Sequence, residues 1–213
     1  MKKILLSLAL ILSAVFCLSP NYSYAQEEAT LTKDENNFLQ SLHPQHGNIV
    51  LQGAPATISL GEKYVFYGPE DAKKILVEAW GNKPEAADGV IGMIALADKN
   101  IYNSWGAAIS YDPQGYVSDK DAKTQDYNKV LADMKEEDKI NATADDFKLV
   151  GWATPPTYNE QKKYLVWATE LSPPESEKVV NSLNYDVRNL GRSGILSLNM
   201  IDYITNLDIV KVD

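Results

Sequence analysis

The chain is short of the residue types that support covalent cross-links and nucleophilic or metal chemistry. Among its 213 residues are one cysteine, Cys17, and two histidines, His43 and His46. Cys17 lies in an N-terminal segment that we predict to be removed, so we expect a mature chain without a disulfide, a reactive thiol or a thiolate metal site. Its core must then hold the fold without cross-links, even in an oxidising compartment.

The N-terminus has the pattern of a secretory signal peptide. Lys2 and Lys3 precede an apolar run, residues 4–18, and small residues stand three and one positions before Gln26. The run is shorter than the ~20 residues of a spanning helix, which disfavours an uncleaved anchor. Lipidation at Cys17 is also disfavoured, because a bulky phenylalanine precedes it. We therefore expect export to the periplasm or cell envelope.

Positive charge is scarce. The formal net charge is -9, and loss of the two leader lysines would leave -11 on a mature chain of about 190 residues. Repulsion from phosphates then argues against nucleic acid and against anionic membrane faces as partners. No stretch of the mature chain is apolar enough to span a bilayer. The acidity suits a dispersed exported protein, and a cation-binding role is the lesser alternative.

Three segments have helical patterns. The first follows a capping box formed by Thr32 and Glu35, and it ends before Pro44. The second begins at Pro69 and ends at Gly81, a residue suited to the left-handed position after a last turn.

The third helix begins near Tyr127. Asp126, or the upstream Ser118 or Asp119, is available as its cap. A polar run from residue 135 to residue 146 is expected to end it.

Short runs with alternating or continuous apolar residues predict strands. They cover residues 49–51, 58–60, 64–66, 89–97, 105–111, 147–152, 164–171, 183–190 and 195–201.

Two connections between these strands have clear signals. The pair Pro155-Pro156 predicts a loop, and residues 191–194 predict a tight turn. The whole pattern indicates an α+β fold, a mostly antiparallel sheet with two or three helices packed on one face. We expect a signal peptide at 1–25, an N-terminal segment with a short helix at 26–46 and a single α+β domain at 47–213.

Several separated motifs, in one order between about Gly47 and Ile201, resemble an uncharacterised bacterial family, the domain of unknown function numbered 2167. The motifs are Trp80-Gly81-Asn82, Ile109-Ser110-Tyr111 with Gly115 to Asp119, Leu149 to Ala153 with Pro155-Pro156, Val166-Trp167-Ala168, and Leu183 to Arg188 with Leu190-Gly191-Arg192. The resemblance implies a membrane-anchored envelope protein but supplies no activity and no catalytic residues. Members commonly carry apolar segments after the domain, so membrane attachment here would require one beyond Asp213.

Aromatic and charged residues provide the candidate binding site. Flat rings give a large contact area at low entropic cost, and charged groups orient a ligand. Packing in the core is the favoured interpretation for the aromatic residues, and a binding cleft is the alternative. The candidate ligand-binding residues are Trp105, Tyr116, Asp119, Asp121, Trp152 and Arg192.

Other chemistry is less well supported by the residues. Asp119 and Asp121 could serve as paired carboxylates of a hydrolase or as calcium ligands, although capping explains acids at a helix start. His43 and His46 have a spacing that two metal ligands on a helix would need, but Pro44 interrupts that helix. Arg188 beside Asp186 is interpreted as a salt bridge on an exposed strand face. We assign no catalytic residue, metal or cofactor.

The sequence therefore favours an exported envelope protein that is non-catalytic and binds an unknown envelope protein or a small ligand. The alternative is an envelope hydrolase acting on glycan or another polymer through paired carboxylates.

We predict that the protein isolated from its native host begins at Gln26, because the leader is cleaved after Ala25. Intact-mass measurement and N-terminal sequencing of the envelope fraction test this. An intact Met1 in the cytoplasmic fraction would contradict it.

Overall fold

The computed structural model describes residues 31–116, 118–120, 122, 124–141, 143, 147–174 and 180–207. Within these ranges, no helix has the length and apolar character needed to cross a membrane.

The described part of the chain contains three α-helices. They are α1 (Lys33–Gln40), α2 (Pro69–Lys74) and α3 (Tyr127–Asn141). A π-helical turn, Ile75–Ala79, continues α2, and a short 3-10 helix, Pro84–Ala87, follows it.

Nine strands form two antiparallel sheets in the same part of the chain. A small sheet contains β1 and β2, and a large sheet has the order β3-β4-β5-β9-β8-β7-β6. The strands are β1 (Asn48–Val50), β2 (Thr57–Ser59), β3 (Tyr64–Tyr67), β4 (Val90–Leu96), β5 (Gly106–Asp112), β6 (Lys148–Asn159), β7 (Tyr164–Ser172), β8 (Ser182–Leu190) and β9 (Ile195–Tyr203).

The large sheet consists of two runs of sequential strands. Strands β3, β4 and β5 pair in chain order, and so do β6, β7, β8 and β9. The last strand, β9, pairs with β5 along its whole length, from Gly106 opposite Ile201 to Asp112 opposite Ile195. This ladder joins the two runs into one sheet.

The three helices share one face of the large sheet, as the sequence predicts. Residues of α1, α2 and α3 form one apolar cluster with the sheet, in which Leu76 and Met134 lie with Met93 and Trp167. The small β1-β2 sheet covers the other face near β3, β4 and β5, where Phe66 packs in a second cluster. The α+β prediction is confirmed. Both faces of β4 are covered, since Met93 lies in the first cluster and Ile94 in the second.

The helix ends follow the sequence signals. Thr32 and Glu35 form the predicted capping box, in which each accepts a hydrogen bond from the other's backbone nitrogen. Asp126 caps α3 by accepting from the backbone nitrogens of Asn128 and Lys129 at 3.0 and 3.1 Å. Helix α3 continues into the polar run that was expected to end it, as far as Asn141.

The sequence does not predict how the second helix ends. The backbone nitrogen of Trp80 donates to the oxygen of Ile75 at 2.9 Å, the i to i-5 pattern of a π-turn. The indole nitrogen of Trp80 donates to the backbone oxygen of Ile101 at 2.8 Å, and the side chain is buried. Gly81 then takes the expected left-handed conformation, with φ 70°.

The prediction of a loop at Pro155-Pro156 is wrong. Strand β6 runs through both prolines, with three irregularities in its pairing to β7 between Leu149 and Thr157. Proline is tolerated in a strand where no ladder hydrogen bond needs its nitrogen, and β6 is the edge strand of the large sheet. The bulges also reduce the tendency of such an edge to pair with another chain.

Gly106 gives a stability test of the packing between sheet and helix. A Cβ atom at this position would lie 2.6 Å from Cη2 of buried Trp80 and 3.0 Å from Sδ of Met93. We expect Gly106→Ala to lower the free energy of unfolding by about 1–3 kcal/mol through overpacking, measured by urea denaturation.

Gly61→Ala is the matched control, because nothing lies within 4 Å of a Cβ atom there. Equal stability of the two variants would show that Trp80 does not pack against β5 as described.

Candidate functional site

Three segments meet at one end of the large sheet, which we call the turn end. They are residues 111–116 after β5, residues 160–163 between β6 and β7, and residues 191–194 between β8 and β9. The backbone oxygen of Ser193 accepts from the hydroxyl of Tyr111 at 2.8 Å and from the nitrogen of Gly115 at 3.2 Å. The nitrogen of Leu190 donates to the oxygen of Lys163 at 3.0 Å. Hydrogen bonds between separate segments therefore fix this end.

Asp119 is attached to the turn end by two side chains. Its Oδ2 accepts from the hydroxyl of Tyr158 at 2.6 Å and from Nζ of Lys163 at 2.8 Å. The hydrogen bond from Lys163, followed by that from Tyr158, lowers the pKa of Asp119 to about 2. Its carboxyl group is thus ionised at neutral pH.

Lys163 has a strained backbone. Its φ is 59°, and no other described residue except glycine has a positive φ. A left-handed conformation is uncommon for a residue with a side chain. Its nitrogen donates to the oxygen of Asn159 at 2.8 Å, and its side chain pairs with Asp119, so contacts on several sides hold it in place.

The sequence-predicted binding residues do not all come together. Tyr116, which is 74% exposed, and the exposed Arg192 belong to the turn end, and Asp119 is bound to it. Asp121 lies outside the described residues.

The two tryptophans lie apart from that group and from each other. Trp105 immediately precedes β5, packs with the cluster under the small sheet and lies 6.1 Å from Tyr64 between ring centroids. Trp152 packs on the helix-bearing face and donates to the backbone oxygen of Tyr127 at 3.3 Å. The two rings cannot line one cleft, because they lie on opposite faces of the sheet.

The charge state of Asp119 argues against its use as the general acid of a hydrolase with paired carboxylates. A general acid of a glycosidase must hold a proton near neutral pH, and Asp119 does not, because of its low pKa.

The histidines have separate surroundings. The backbone nitrogen of His43 donates to Oδ2 of buried Asp71 at 2.7 Å, and its ring Nδ1 lies 3.2 Å from the same oxygen. This contact connects the N-terminal segment to α2. Among the described residues, no group of three or more His, Cys, Asp or Glu side chains has the geometry to hold a metal ion.

A second polar group, which the sequence does not reveal, lies on the helix-bearing face of β7, β8 and β9. Strand register places its members on the same face as Trp167 and Ile201, both of which belong to the helix-packed cluster. All are at least nine-tenths buried. We call this group the buried polar row; it contains Thr169, Asn184, Asp186, Arg188, Ser197 and Asn199.

The interpretation of Asp186 and Arg188 as an exposed pair is wrong. Their side chains are 6% and 2% exposed, since helices cover the face towards which they point. Burial raises the pKa of Asp186 to about 6, although the charge of Arg188 and the amide of Asn199 oppose the rise. The guanidinium carbon of Arg188 lies 4.9 Å from the ring centroid of Trp167, a cation-π contact.

Some polar atoms near this face have no hydrogen-bond partner in the described part of the protein. They are Oδ1 of Asn184 and Oγ of Ser182. Each such buried group costs about 1–3 kcal/mol unless something satisfies it. The alternation of polar with apolar residues from Leu183 to Arg188 predicts a half-exposed strand, so pattern alone does not reveal the burial.

A comparison with protein-family models gives one match, the family described as "Protein of unknown function (DUF2167)", over residues 43–213. The chain belongs to this family. The match begins at His43, the residue that contacts Asp71, and includes all nine strands described above. No curated protein and no solved structure matches the chain.

We expect the buried Asp186 to make stability depend on pH. Its pKa of about 6 lies above the ordinary value of 3.8, so the folded state binds this proton more tightly than the unfolded state. The contribution of the protonated Asp186 carboxyl group to the free energy of unfolding is complete below pH 3.8. It is lost as the pH rises through about 6. The loss has an upper bound of about 3 kcal/mol.

Urea denaturation of the wild type and Asp186→Asn between pH 4 and pH 7.5 measures this. The free energy of unfolding of Asp186→Asn should lack this decrease with rising pH, whatever the absolute stability of the variant. Asp133→Asn, on the exposed surface of α3, is the control and should keep it. An unchanged slope in Asp186→Asn would contradict the assignment.

Proposed function

We propose that the protein is an exported, non-catalytic binding domain of the cell envelope and that it contacts its partner through the turn end. The observation that carries this is the fixed cluster of exposed aromatic and charged side chains there, built from separate segments of the chain. The signal-peptide pattern of the first 25 residues supports export.

The turn end has the composition of a contact surface. Tyrosine and arginine are enriched among residues that dominate binding energy, and Tyr116 and Arg192 supply both types. The side chains of Lys162 and Lys163 are also exposed there. These cations lie together with the acids Asp112, Asp119 and Glu160, so the charges here suit a partner that is oriented by charges of both signs.

The turn end is also held rigid before binding. Ser193, Lys163 and Asp119 connect the three segments through the hydrogen bonds described above. A pre-ordered surface loses less entropy when a partner binds, and binding is stronger for that reason. Rigid exposed loops at one end of a sheet are a common arrangement of recognition sites.

Site-specific photo-crosslinking in the native host tests this proposal. We expect a photoreactive amino acid in place of Tyr116 to give one discrete crosslinked product in the envelope fraction. The same amino acid in place of Val50 should give none, although Val50 is 75% exposed and so equally accessible. Val50 lies on the small sheet, away from the turn end.

A charge reversal provides the second arm of the experiment. Arg192→Glu should reduce the product at position 116 by about tenfold, since each 1.4 kcal/mol changes the binding constant by that factor. Lys148→Glu, at the far end of β6, should leave it unchanged. Equal products at positions 116 and 50, or a product insensitive to Arg192→Glu, would contradict the proposal.

A further inference from the structure

We propose that the partner bound at the turn end is a second copy of this chain, related to the first by a two-fold axis. This inference rests on the proposed function, because it names the partner of the same surface. The contact surface consists of residues 111–116, 160–163 and 191–194 together with Asp119.

The turn end carries charges of both signs in equal number, whereas the whole chain has a formal net charge of -9. The charges at the turn end are the cations Lys162, Lys163 and Arg192 and the acids Asp112, Asp119 and Glu160. The excess negative charge therefore lies outside the turn end, where it repels a second copy. At the turn end itself the net charge adds no such repulsion.

A two-fold interface brings one surface against itself, so each contact occurs twice with the roles exchanged. A surface with a single sign of charge would repel its copy, whereas one with both signs can place its cations against the acids of the copy. Arg192 and Glu160 are both exposed and lie on separate segments. Each copy thus supplies both members of an ion pair that the symmetry forms twice.

Tyr116 adds an aromatic surface to these charges. Its side chain is 74% exposed, and the nitrogen of the preceding Gly115 donates to the oxygen of Ser193, the residue after Arg192. A guanidinium group binds favourably over the face of an aromatic ring. Arg192 of each copy can therefore stack on Tyr116 of the other, which is again a contact made twice.

Sedimentation equilibrium of the purified protein is the first test. We expect the average mass to rise with concentration towards twice that of the single chain. Raising the salt concentration from about 0.05 to about 0.5 M should weaken the association at least about threefold, because exposed charges are screened.

Two charge variants test whether the surface pairs with itself. The acidic variant combines Arg192→Glu with Lys162→Glu, and the basic variant combines Glu160→Lys with Gln161→Lys, all at exposed positions. Each variant alone should self-associate at least about tenfold more weakly than the wild type, because like charges then face each other. An equimolar mixture of the two should form a mixed dimer at least as strong as the wild-type dimer.

Matched charge changes on the exposed surface of α3 are the controls. Lys129→Glu with Lys139→Glu, and Asp133→Lys with Glu136→Lys, should leave the association as strong as in the wild type. Circular dichroism checks that each variant is folded. Sedimentation of the wild type needs no variant and tests the inference by itself.

Two results would overturn the inference. One is a wild-type protein that stays monomeric up to about 1 mM, a concentration at which even a complex with a Kd in that range forms. The other is a mixture of the acidic and basic variants that associates no more strongly than either variant alone.

Crosslinking at position 116 separates the failure of this inference from the failure of the proposed function. A product with the mass of two chains supports a second copy as the partner. A product of any other mass keeps the proposed function but excludes the second copy. The absence of a product contradicts both.

Discussion

The pairing of β5 with β9 is the contact on which the rest of the structure depends. Without it, the chain would contain two separate antiparallel runs, each with an extra unpaired edge. The ladder brings the loop after β5 against the β8-β9 turn, where Tyr111 and Gly115 both donate to Ser193. It also gives β9 two paired neighbours, so that Asn199 lies in the interior of the sheet. The turn end and the buried polar row thus both depend on one long-range contact.

The turn end and the buried polar row differ in how their carboxylates are stabilised. Asp119 accepts bonds from Lys163 and Tyr158 and has a lowered pKa, whereas Asp186 has a raised pKa because burial outweighs the nearby charge of Arg188. The first arrangement stabilises an ionised carboxylate at the surface, and the second makes an ionised carboxylate costly in the interior. The difference follows from burial, since Asp119 is partly exposed whereas Asp186 lies beneath the helices.

Local sequence signals predict much of this fold because they act over a few residues. The capping box at Thr32, the glycine at residue 81 and the helix cap at Asp126 depend only on nearby backbone atoms, and all three appear as predicted. The buried polar row could not be predicted, because it depends on which strands become neighbours and which face the helices cover. Alternating polar residues near Asp186 have the same pattern whether that face meets solvent or protein. For the same reason Pro155-Pro156 predicted a loop, since only strand order shows that β6 is an edge.

The position of the last strand also constrains how the protein can mature. Because β9 lies between β5 and β8, the first strands cannot complete their sheet until β9 is free to fold. Contacts between residues so distant in sequence form slowly, and they leave unpaired strands exposed in the meantime. Although β4 already pairs with one edge of β5, the other edge of β5 therefore stays unpaired until β9 has been synthesised and can fold against it.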